Sequence, residues 1–386
     1  MKKIAFLLVF WFFAAQTVAL ANDGVFYAQG NQLIPITETD ITVQKEVLTL
    51  NRIGDYIEVT VYYEFYNPTG KSKTLLVGFE AAAPYPYEGL GHFPEQPNIH
   101  NFIVLMNGKT LPFQVAHVDS ELFWREEGAD FVPKYYVNGR VQGWTDKQCK
   151  DALAEDDMSY PFDYVYHFNA EFKPGVNTVK HTYKYQMSES VDFDFDFPYV
   201  LTAACRWANK QIDDFTLNIN MGERESFCIS PTFTKTTDEW TMNGIGRTDT
   251  WEYAGDVNPC FHMREGGVSF HKKNFRPEGE LFVFKPQVVW SFWGIDGPIL
   301  GEDVISVARS TYNDWYILLG EKLDFTDQQK RIMKNMPFAQ RGYVFKSKDL
   351  QKYFESTVWY IPDPSYVADM NQLPPHEKEI VQFWMK

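Results

Sequence analysis

Hydrophobic and polar residues alternate along much of the chain up to about residue 293. The apolar positions of one such run are Ile57, Val59, Val61, Tyr63 and Phe65. A period of two over ten residues predicts a half-buried β-strand. Asn67-Pro68-Thr69-Gly70 then predicts a turn. Asn107-Gly108, between two apolar runs, predicts a β-hairpin with a type I′ turn.

The same alternation returns further along the chain. Its members are Val179 to Met187, Tyr199 to Trp207, Phe215 to Met221, and shorter runs within 227–234 and 281–290. Many short strands joined by turns predict a β-sandwich or two packed β units over residues 22–295. Residues 119–162 are interpreted as an excursion from the sheet, in which a short helix after Thr145 turns Cys149 inward. The pattern leaves open whether residues 22–295 form one unit or two.

After Gly294-Ile295-Asp296-Gly297-Pro298 the hydrophobic period changes to that of helices. Helices are predicted over 304–318, from Thr326 onward, over Lys348–Glu355 with Ser347 as N-cap, and from about Pro374. Pro337 predicts a kink or break, with Gly342 as a cap of positive φ. The predicted fold class is therefore α+β. A large, mainly antiparallel, sandwich-like β region precedes a small helical region over 296–386.

One C-terminal stretch resembles a known family. Residues 338–342 read Phe-Ala-Gln-Arg-Gly, residues 345–354 read Phe-Lys-Ser-Lys-Asp-Leu-Gln-Lys-Tyr-Phe, and Trp359-Tyr360 follows. This pattern resembles the YARHG domain, an extracellular bacterial module named for its Tyr/Phe-Ala-Arg-His-Gly turn. The resemblance covers about residues 325–386. It implies a domain identity but no settled activity, and the family's histidine is replaced here by Arg341.

The N-terminus predicts export. Lys2-Lys3 precedes an apolar run from Ile4 to Ala15, and Ala19-Leu20-Ala21 has the form of a cleavage site. This is the pattern of a secretory signal peptide over residues 1–21, cleaved near Ala21. The apolar run is too short to span a bilayer comfortably. We therefore expect a secreted protein, periplasmic or extracellular, with no transmembrane span after cleavage.

Charge and composition narrow the expected partners. The formal net charge of −15 becomes −17 when Lys2 and Lys3 are removed, and so acidic a chain disfavours nucleic acid. Aromatic residues make up 17% of the chain. They favour strands and are also stacking surfaces for sugars. The expected partner is an envelope glycan such as peptidoglycan, and the alternative is another envelope protein.

Four cysteines are candidates for disulfides in an exported chain. They are Cys149, Cys205, Cys228 and Cys260, and three full pairings are open. No Cys-x-x-Cys spacing occurs, so a zinc site has no local support. Cys260-Phe261-His262 could place a thiolate beside an imidazole, although export favours a disulfide.

Other ionisable residues form no recognisable catalytic or metal motif. Asp192, Asp194 and Asp196 alternate with aromatics, which we interpret as a solvated strand face in preference to a calcium site. His92, His100 and His117 lack the spacing of a metal site, and His181 is interpreted as a hydrogen-bonded core residue. The sequence contains no Gly-x-Ser-x-Gly, Walker loop or Gly-x-Gly-x-x-Gly. We predict no catalytic residue, metal or cofactor.

The altered turn has two interpretations. In the first, it is a folding signature of helix, turn and helix. In the second, Arg341, Lys346, Lys348 and Gln340 form a basic patch that receives a carboxylate from a cell-wall peptide or glycan. The function predicted is non-enzymatic binding of envelope glycan. The alternatives are a protein–protein scaffold or adhesin component and, third, a carboxylate-dependent hydrolase with two converging acids.

Overall fold

The computed structural model describes residues 33–36, 39–81, 93–119, 131–145, 147, 162–188, 193–253, 255–286 and 326–385. The predicted signal peptide, most of the 119–162 excursion, the 294–298 boundary and the 304–318 helix lie outside these residues. So do Cys149, His92 and Asp192. Within the described part, no helix combines the length and apolarity that a bilayer crossing requires.

Seventeen strands make up the described β region. They are β1 Leu33–Pro35, β2 Thr42–Ile53, β3 Tyr56–Asn67, β4 Lys73–Ala81, β5 Ile99–Met106, β6 Lys109–Thr110, β7 Gln114–Asp119, β8 Tyr136–Val137, β9 Arg140–Val141, β10 Phe162–Phe172, β11 Gly175–Gln186, β12 Phe193–Val200, β13 Ile212–Asn220, β14 Glu225–Ile229, β15 Trp240–Tyr253, β16 Asp256–Phe275 and β17 Glu280–Pro286. The α+β fold class is confirmed. The alternating residues of β2, β3, β11 and β13 are buried on one side, as their period predicts.

These strands form a four-stranded sheet, an eleven-stranded sheet and a small hairpin. The smaller sheet has the order β1-β4-β10-β7. The larger has the order β12-β17-β14-β16-β13-β2-β3-β11-β5-β6, with β15 paired to β16. All pairings are antiparallel except β13 with β2, whose residues are more than 150 positions apart in the chain. This parallel pair brings the two halves of the β region into one sheet.

The large sheet curls so that its first strand returns near β11. Backbone hydrogen bonds of 3.0 and 3.3 Å join Ser188, just after β11, to Asp196 on β12. Tyr185 on β11 contacts Phe197 on β12, with ring centroids 5.6 Å apart. We call the concave side the inner face and the other side the outer face. The inner face and one side of the smaller sheet share a single core. In this core Phe79 packs against Tyr183, with ring centroids 5.0 Å apart.

Three α-helices follow in the C-terminal region: α1 Asp327–Gln340, α2 Lys348–Glu355 and α3 Pro375–Phe383. Their apolar residues build a second core around Phe354, Tyr360 and Trp384. The bounds of α2 and its N-cap Ser347 are as predicted. Gly342 has φ +84°, and its N–H donates to Ala339 O at 2.8 Å, which closes α1 with a glycine cap.

Two local predictions were wrong. The run Tyr199 to Trp207 is not one strand, because β12 ends at Val200 and a 3₁₀ helix covers Thr202–Arg206. Asp194 and Asp196 are not a solvated face either. A register shift after Phe193 turns Asp194 toward Lys285, and Asp196 is only 3% exposed. The bulge breaks the alternation on which the prediction depended.

The structure also differs from the prediction of a kink or break at Pro337. α1 is one continuous helix that contains Pro337 in its last turn. Pro337 is buried, so packing of the last turn against α3 and its neighbours offsets the missing backbone donor.

Candidate functional site

The outer face of the large sheet carries a cluster of rings that we call the aromatic surface. Its members are Phe193, Trp251, Tyr253, Phe282 and Phe284. Trp251 and Tyr253 are two residues apart on β15 and therefore share a face. Their rings stack at 5.0 Å with planes 10° apart. Phe282 and Phe284 are likewise two residues apart on β17, and their ring centroids lie 5.2 Å apart.

The aromatic surface has a buried layer and an accessible layer. Phe193 and Phe284 are 8% and 1% exposed, and their ring centroids lie 4.9 Å apart. Tyr253 is 36% exposed, while Trp251 and Phe282 are half-buried. The buried rings thus support rings that still present surface to solvent. Because the buried rings already restrict the accessible rings, binding of a ligand would cost these side chains little further conformational freedom.

A disulfide and an asparagine support this surface from within the sheet. Cys228 on β14 and Cys260 on β16 are directly paired and form the disulfide, and both sulfurs belong to the same cluster as Phe284. The Asn258 side-chain amide donates to Trp251 O at 3.0 Å and to Asp256 O at 3.2 Å. This bond fixes the hairpin backbone beside Trp251. Of the other cysteines, Cys205 is a half-buried free thiol whose pKa burial raises.

The disulfide removes the thiolate that a Cys260–His262 pair would need. His262 instead has its Nδ1 2.8 Å from the Ser226 hydroxyl. His262 is 2% exposed, and burial lowers its pKa to about 4, so the ring is neutral at pH 7. These contacts fit a structural histidine.

Four charged residues close one end of the inner face. Lys285 Nζ lies 2.9 Å from Glu225 and 3.3 Å from Asp194, and Arg52 lies 2.7 Å from Glu225. The Arg52 guanidinium also lies 4.5 Å from the centre of the Phe195 ring. Burial alone would raise the pKa of Glu225, but Lys285 and Arg52 together lower it. The cluster is a satisfied ion-pair network, which is the form in which charges are tolerated at low exposure.

Two acids on the smaller sheet approach each other. Glu80 and Asp163 lie on the neighbouring strands β4 and β10, and Arg206 donates to Glu80 at 2.9 Å. Burial raises the pKa of Glu80 to about 7, with Asp163 adding to the rise and Arg206 opposing it. Glu80 is only 2% exposed. The raised pKa has a plain cause in desolvation, and the buried carboxyl offers little surface to a substrate.

The residues predicted to form a basic patch have different surroundings. The Arg341 guanidinium donates to both carboxylate oxygens of Glu377 on α3, at 2.7 and 3.2 Å, and to Pro337 O at 2.8 Å. Both partners of this ion pair are nearly buried. Gln340 is half-buried, and Lys346 and Lys348 are exposed and join no ion pair with a described residue. A binding role for these residues stays a prediction, with Arg341 already holding an internal carboxylate.

Gly342 has a second structural role. A Cβ at this position would lie 2.6 Å from Ile361 O and 2.8 Å from Asp363 N. Asp363 N donates to Gly342 O at 2.7 Å. The turn therefore needs glycine both for its positive φ and for the close approach of residues 361–363. These contacts fit the interpretation of the turn as a folding signature.

The same 361–363 segment contacts the β region. Arg264 on β16 donates to Ile361 O and Pro362 O, each at 3.4 Å, and its guanidinium lies 3.6 Å from Asp363. The Arg264 side chain is 12% exposed. Arg264 thus contributes to the contact between the C-terminal region and the β region, through hydrogen bonds to two carbonyl oxygens and an ion pair with one carboxylate.

The remaining predicted site residues lie apart from the aromatic surface. His117 is buried with its Nε2 2.9 Å from Phe93 O, His100 is exposed, and His181 is fully buried. Among the described residues, no group of three or more His, Cys, Asp or Glu could hold a metal. The aromatic surface itself was not predicted, although Trp251 and Tyr253 show the i, i+2 spacing that places side chains on one strand face.

Comparison with solved structures finds low similarity. A candidate nutrient-binding protein of Legionella pneumophila is 16% identical over 94% of this chain and 99% of its own, with a TM-score of 0.47. Leukotriene A4 hydrolase of Saccharomyces cerevisiae is 11% identical over 75% of this chain and 36% of its own, with a TM-score of 0.27. Aminopeptidase A of Legionella pneumophila is 8% identical over 66% of this chain and 23% of its own, with a TM-score of 0.25. TM-scores below 0.5 assign neither fold nor function.

Comparison at the level of sequence is more specific at the C-terminus. No curated protein matches the chain. Residues 319–386, however, match the family model of the YARHG domain. The match covers the Phe-Ala-Gln-Arg-Gly turn, helices α1 to α3 and the core around Phe354. The C-terminal part of this chain is therefore a member of the YARHG domain family.

Proposed function

We propose that this is an exported cell-envelope protein that binds envelope glycan without catalysing a reaction on it. The observation that supports the proposal best is the aromatic surface, whose accessible rings Trp251, Tyr253 and Phe282 stand on a buried aromatic layer. Flat ring faces suit the apolar faces of sugar rings, and the backbone and side-chain polar groups around them can take the hydroxyls. The YARHG domain agrees with an envelope location.

The charge of the protein favours some glycans over others. With a formal charge of −15, the chain repels polymers rich in phosphate or carboxylate. A neutral or amino-sugar backbone, such as that of peptidoglycan, avoids this repulsion. Binding through ring stacking should also depend weakly on salt, since no ion pair is needed.

The first prediction concerns the two stacked rings. The double substitution Trp251→Ala and Tyr253→Ala should reduce retention on purified peptidoglycan at least about tenfold, because two central aromatic contacts are lost. Co-sedimentation at moderate salt measures retention. Tyr66→Ala is the matched control, since Tyr66 is 37% exposed and Tyr253 36%. The proposal is wrong if the wild-type protein is not retained on any envelope glycan, or if both variants lose retention equally.

A protein–protein scaffold is the second candidate function. β15 is fourteen residues long, pairs only with β16 among the described strands, and is exposed at most positions. A long exposed edge strand can pair with a strand of another protein. Crosslinking in the native envelope from a residue on β15, such as Thr248, should recover one partner if this function holds. Recovery of the same partner protein in the absence of glycan would distinguish the scaffold function from glycan binding.

A further inference from the structure

One long edge of the large sheet has no neighbouring strand in the described part of the chain. This edge is β15, Trp240–Tyr253, which pairs with β16 alone among the described strands. Ile245, Arg247, Thr248 and Thr250, in the middle of the strand, are exposed. A strand at the edge of a sheet presents backbone N–H and C=O groups that a further strand can pair with. β15 is therefore a candidate surface for strand addition.

The nearby YARHG domain leaves this edge accessible. Glu265 pairs with Ile245 on β15 and directly follows Arg264, which contacts the domain. Ile245 is nevertheless 38% exposed, and Arg247 and Thr248 beside it are exposed as well. A strand of another molecule can thus reach β15 without displacing the described contact at Arg264.

The charges of β15 are arranged so that the strand is complementary to itself. Arg247 and Asp249 flank Thr248 and share one face of the strand. Besides the effect of burial, Asp249 raises and Arg247 lowers the pKa of His262 on β16, which agrees with a shared face. Neither charge has an ion pair with a described residue. If two copies of β15 pair antiparallel with Thr248 opposite Thr248, each Arg247 lies directly opposite Asp249 of the other copy.

The same register matches an apolar pair and excludes its neighbours. Ile245 lies opposite Trp251 of the second copy, so an exposed aliphatic side chain meets a half-buried ring. Opposite charges and aromatic–β-branched pairs both stabilise directly paired positions. Moving the two-fold axis by one residue would place Arg247 opposite Arg247, or Asp249 opposite Asp249, and like charges in such positions repel. The charges therefore favour one register.

We propose that two copies of this chain pair through β15 into a symmetric dimer whose two-fold axis passes between the Thr248 residues. Residues 245–251 of the two copies form the centre of the contact, with about six to eight backbone hydrogen bonds. The same surface serves both copies, as in other two-fold interfaces. Charges that only protect an edge would work equally well with one sign, whereas these alternate in sign about Thr248.

This inference rests on the second candidate function and deepens it, because it names a second copy of the chain as the partner of β15. A two-fold axis normal to the joined sheet leaves both aromatic surfaces on the same side of it. The pairing itself uses backbone groups of the strand edge and needs no glycan. Dimerisation and glycan binding can therefore be measured separately, and either proposal can fail alone.

Charge reversal tests the pairing and its register. Sedimentation equilibrium of the purified full chain should show a species of twice the monomer mass. Arg247→Asp and Asp249→Arg, made singly, each place like charges opposite one another twice and should raise the dimer Kd at least about tenfold. The double variant restores opposite charges and should return the Kd to within about threefold of wild type. Glu252→Arg is the matched control, because Glu252 is exposed on the same strand and faces Gly244 in this register.

A cysteine at the two-fold axis gives a second measurement. Directly opposite residues of an antiparallel pair have Cα atoms about 4.5–5.5 Å apart, so Thr248→Cys should form a disulfide-linked dimer under mild oxidation. Thr241→Cys, exposed on the same strand, should not, and wild type controls for the native cysteines.

Three results would overturn the dimer. They are a monomeric wild-type chain, a Kd that both single charge reversals leave unchanged, and linkage of Thr241→Cys as fast as that of Thr248→Cys. A different protein crosslinked to β15 in the envelope, together with a monomeric purified chain, would support the scaffold function while excluding the second copy as its partner.

Discussion

Asp196 shows how strongly burial by neighbouring strands changes a single residue. Its carboxyl group is 3% exposed, and burial raises its pKa from about 4 to about 7. Asp194, two residues away, stays paired with Lys285. Two aspartates in one strand thus have different environments, because a bulge separates their orientations. Neither has the solvated environment that the alternating pattern predicts.

The raised pKa gives a test at the residue scale. An acid whose folded-state pKa exceeds its unfolded value binds its proton more tightly in the folded state. Its stabilising contribution is complete below about pH 4 and is lost as the pH rises through about 7. The free energy of unfolding of wild type minus that of Asp196→Asn should therefore fall between pH 4 and pH 7.5, by up to about 4 kcal/mol.

Urea unfolding across this pH range measures the difference. The same substitution at the exposed Asp238 controls for loss of one charge. The burial of Asp196 is wrong if the two variants show the same dependence on pH.

At the scale of elements, the namesake turn of the YARHG domain acts through α1 and α3. Arg341, just after α1, forms a bidentate ion pair with Glu377 on α3 and also donates to Pro337 O. Gly342 closes the helix and admits residues 361–363 at close range. One turn therefore connects two helices and an extended segment. This structural role holds with the family's histidine position occupied by Arg341.

Removing Glu377 should destabilise the domain strongly. Glu377→Ala leaves a nearly buried guanidinium without its carboxylate, which costs about 3–5 kcal/mol. Hydrogen exchange of α1 and α3, followed by mass spectrometry, should become much faster. Arg331→Ala breaks the exposed ion pair with Asp349 and should cost less than about 1 kcal/mol. Similar exchange in the two variants would contradict the role assigned to Arg341.

At the scale of the whole molecule, Arg264 is one described contact that joins the β region to the YARHG domain. It lies on β16 where that strand changes partner from β14 to β13. Its guanidinium reaches Ile361 O, Pro362 O and Asp363. Asp363 also donates its backbone N–H to Gly342 O. The segment 361–363 therefore contacts both the turn of the YARHG domain and Arg264 of the β region.

Arg264→Ala should loosen this contact without unfolding either part. We expect faster hydrogen exchange at residues 361–366 and unchanged exchange in α2. Arg140→Ala is the control, because Arg140 is an exposed arginine of the β region that lies on β9. Unchanged exchange at 361–366 in Arg264→Ala would show that another contact joins the two parts.

Local patterns predicted the parts of this fold that local energetics decide. Alternation identified β2, β3 and β11, and Asn107-Gly108 gave the hairpin in which both residues have positive φ. Ser347 and Gly342 were identified as helix ends because a cap depends on a few neighbouring backbone groups. The YARHG domain followed from a motif that is contiguous in the chain.

Contacts between distant segments could not be predicted in this way. The parallel pairing of β2 with β13, the choice of Cys228–Cys260 and the pairing of Arg264 with residues 361–363 each join residues far apart in sequence or choose among several partners. Likewise, the rings of Trp251 on β15 and Phe284 on β17 lie 5.8 Å apart only because the sheet order places these strands on the two sides of β14 and β16. The aromatic surface therefore had no contiguous signature.

By itself, the sequence determined the strand and helix periods, the caps, the C-terminal domain and an acidic, aromatic-rich composition. The tertiary structure decided which polar groups are buried, which rings stay accessible and which cysteines pair. The physical reason is that propensity and capping depend on neighbours within about one turn of the chain. Desolvation depends on whichever distant strands cover a residue, so the environments of Asp196, Glu80 and Tyr253 exist only in the folded sheet.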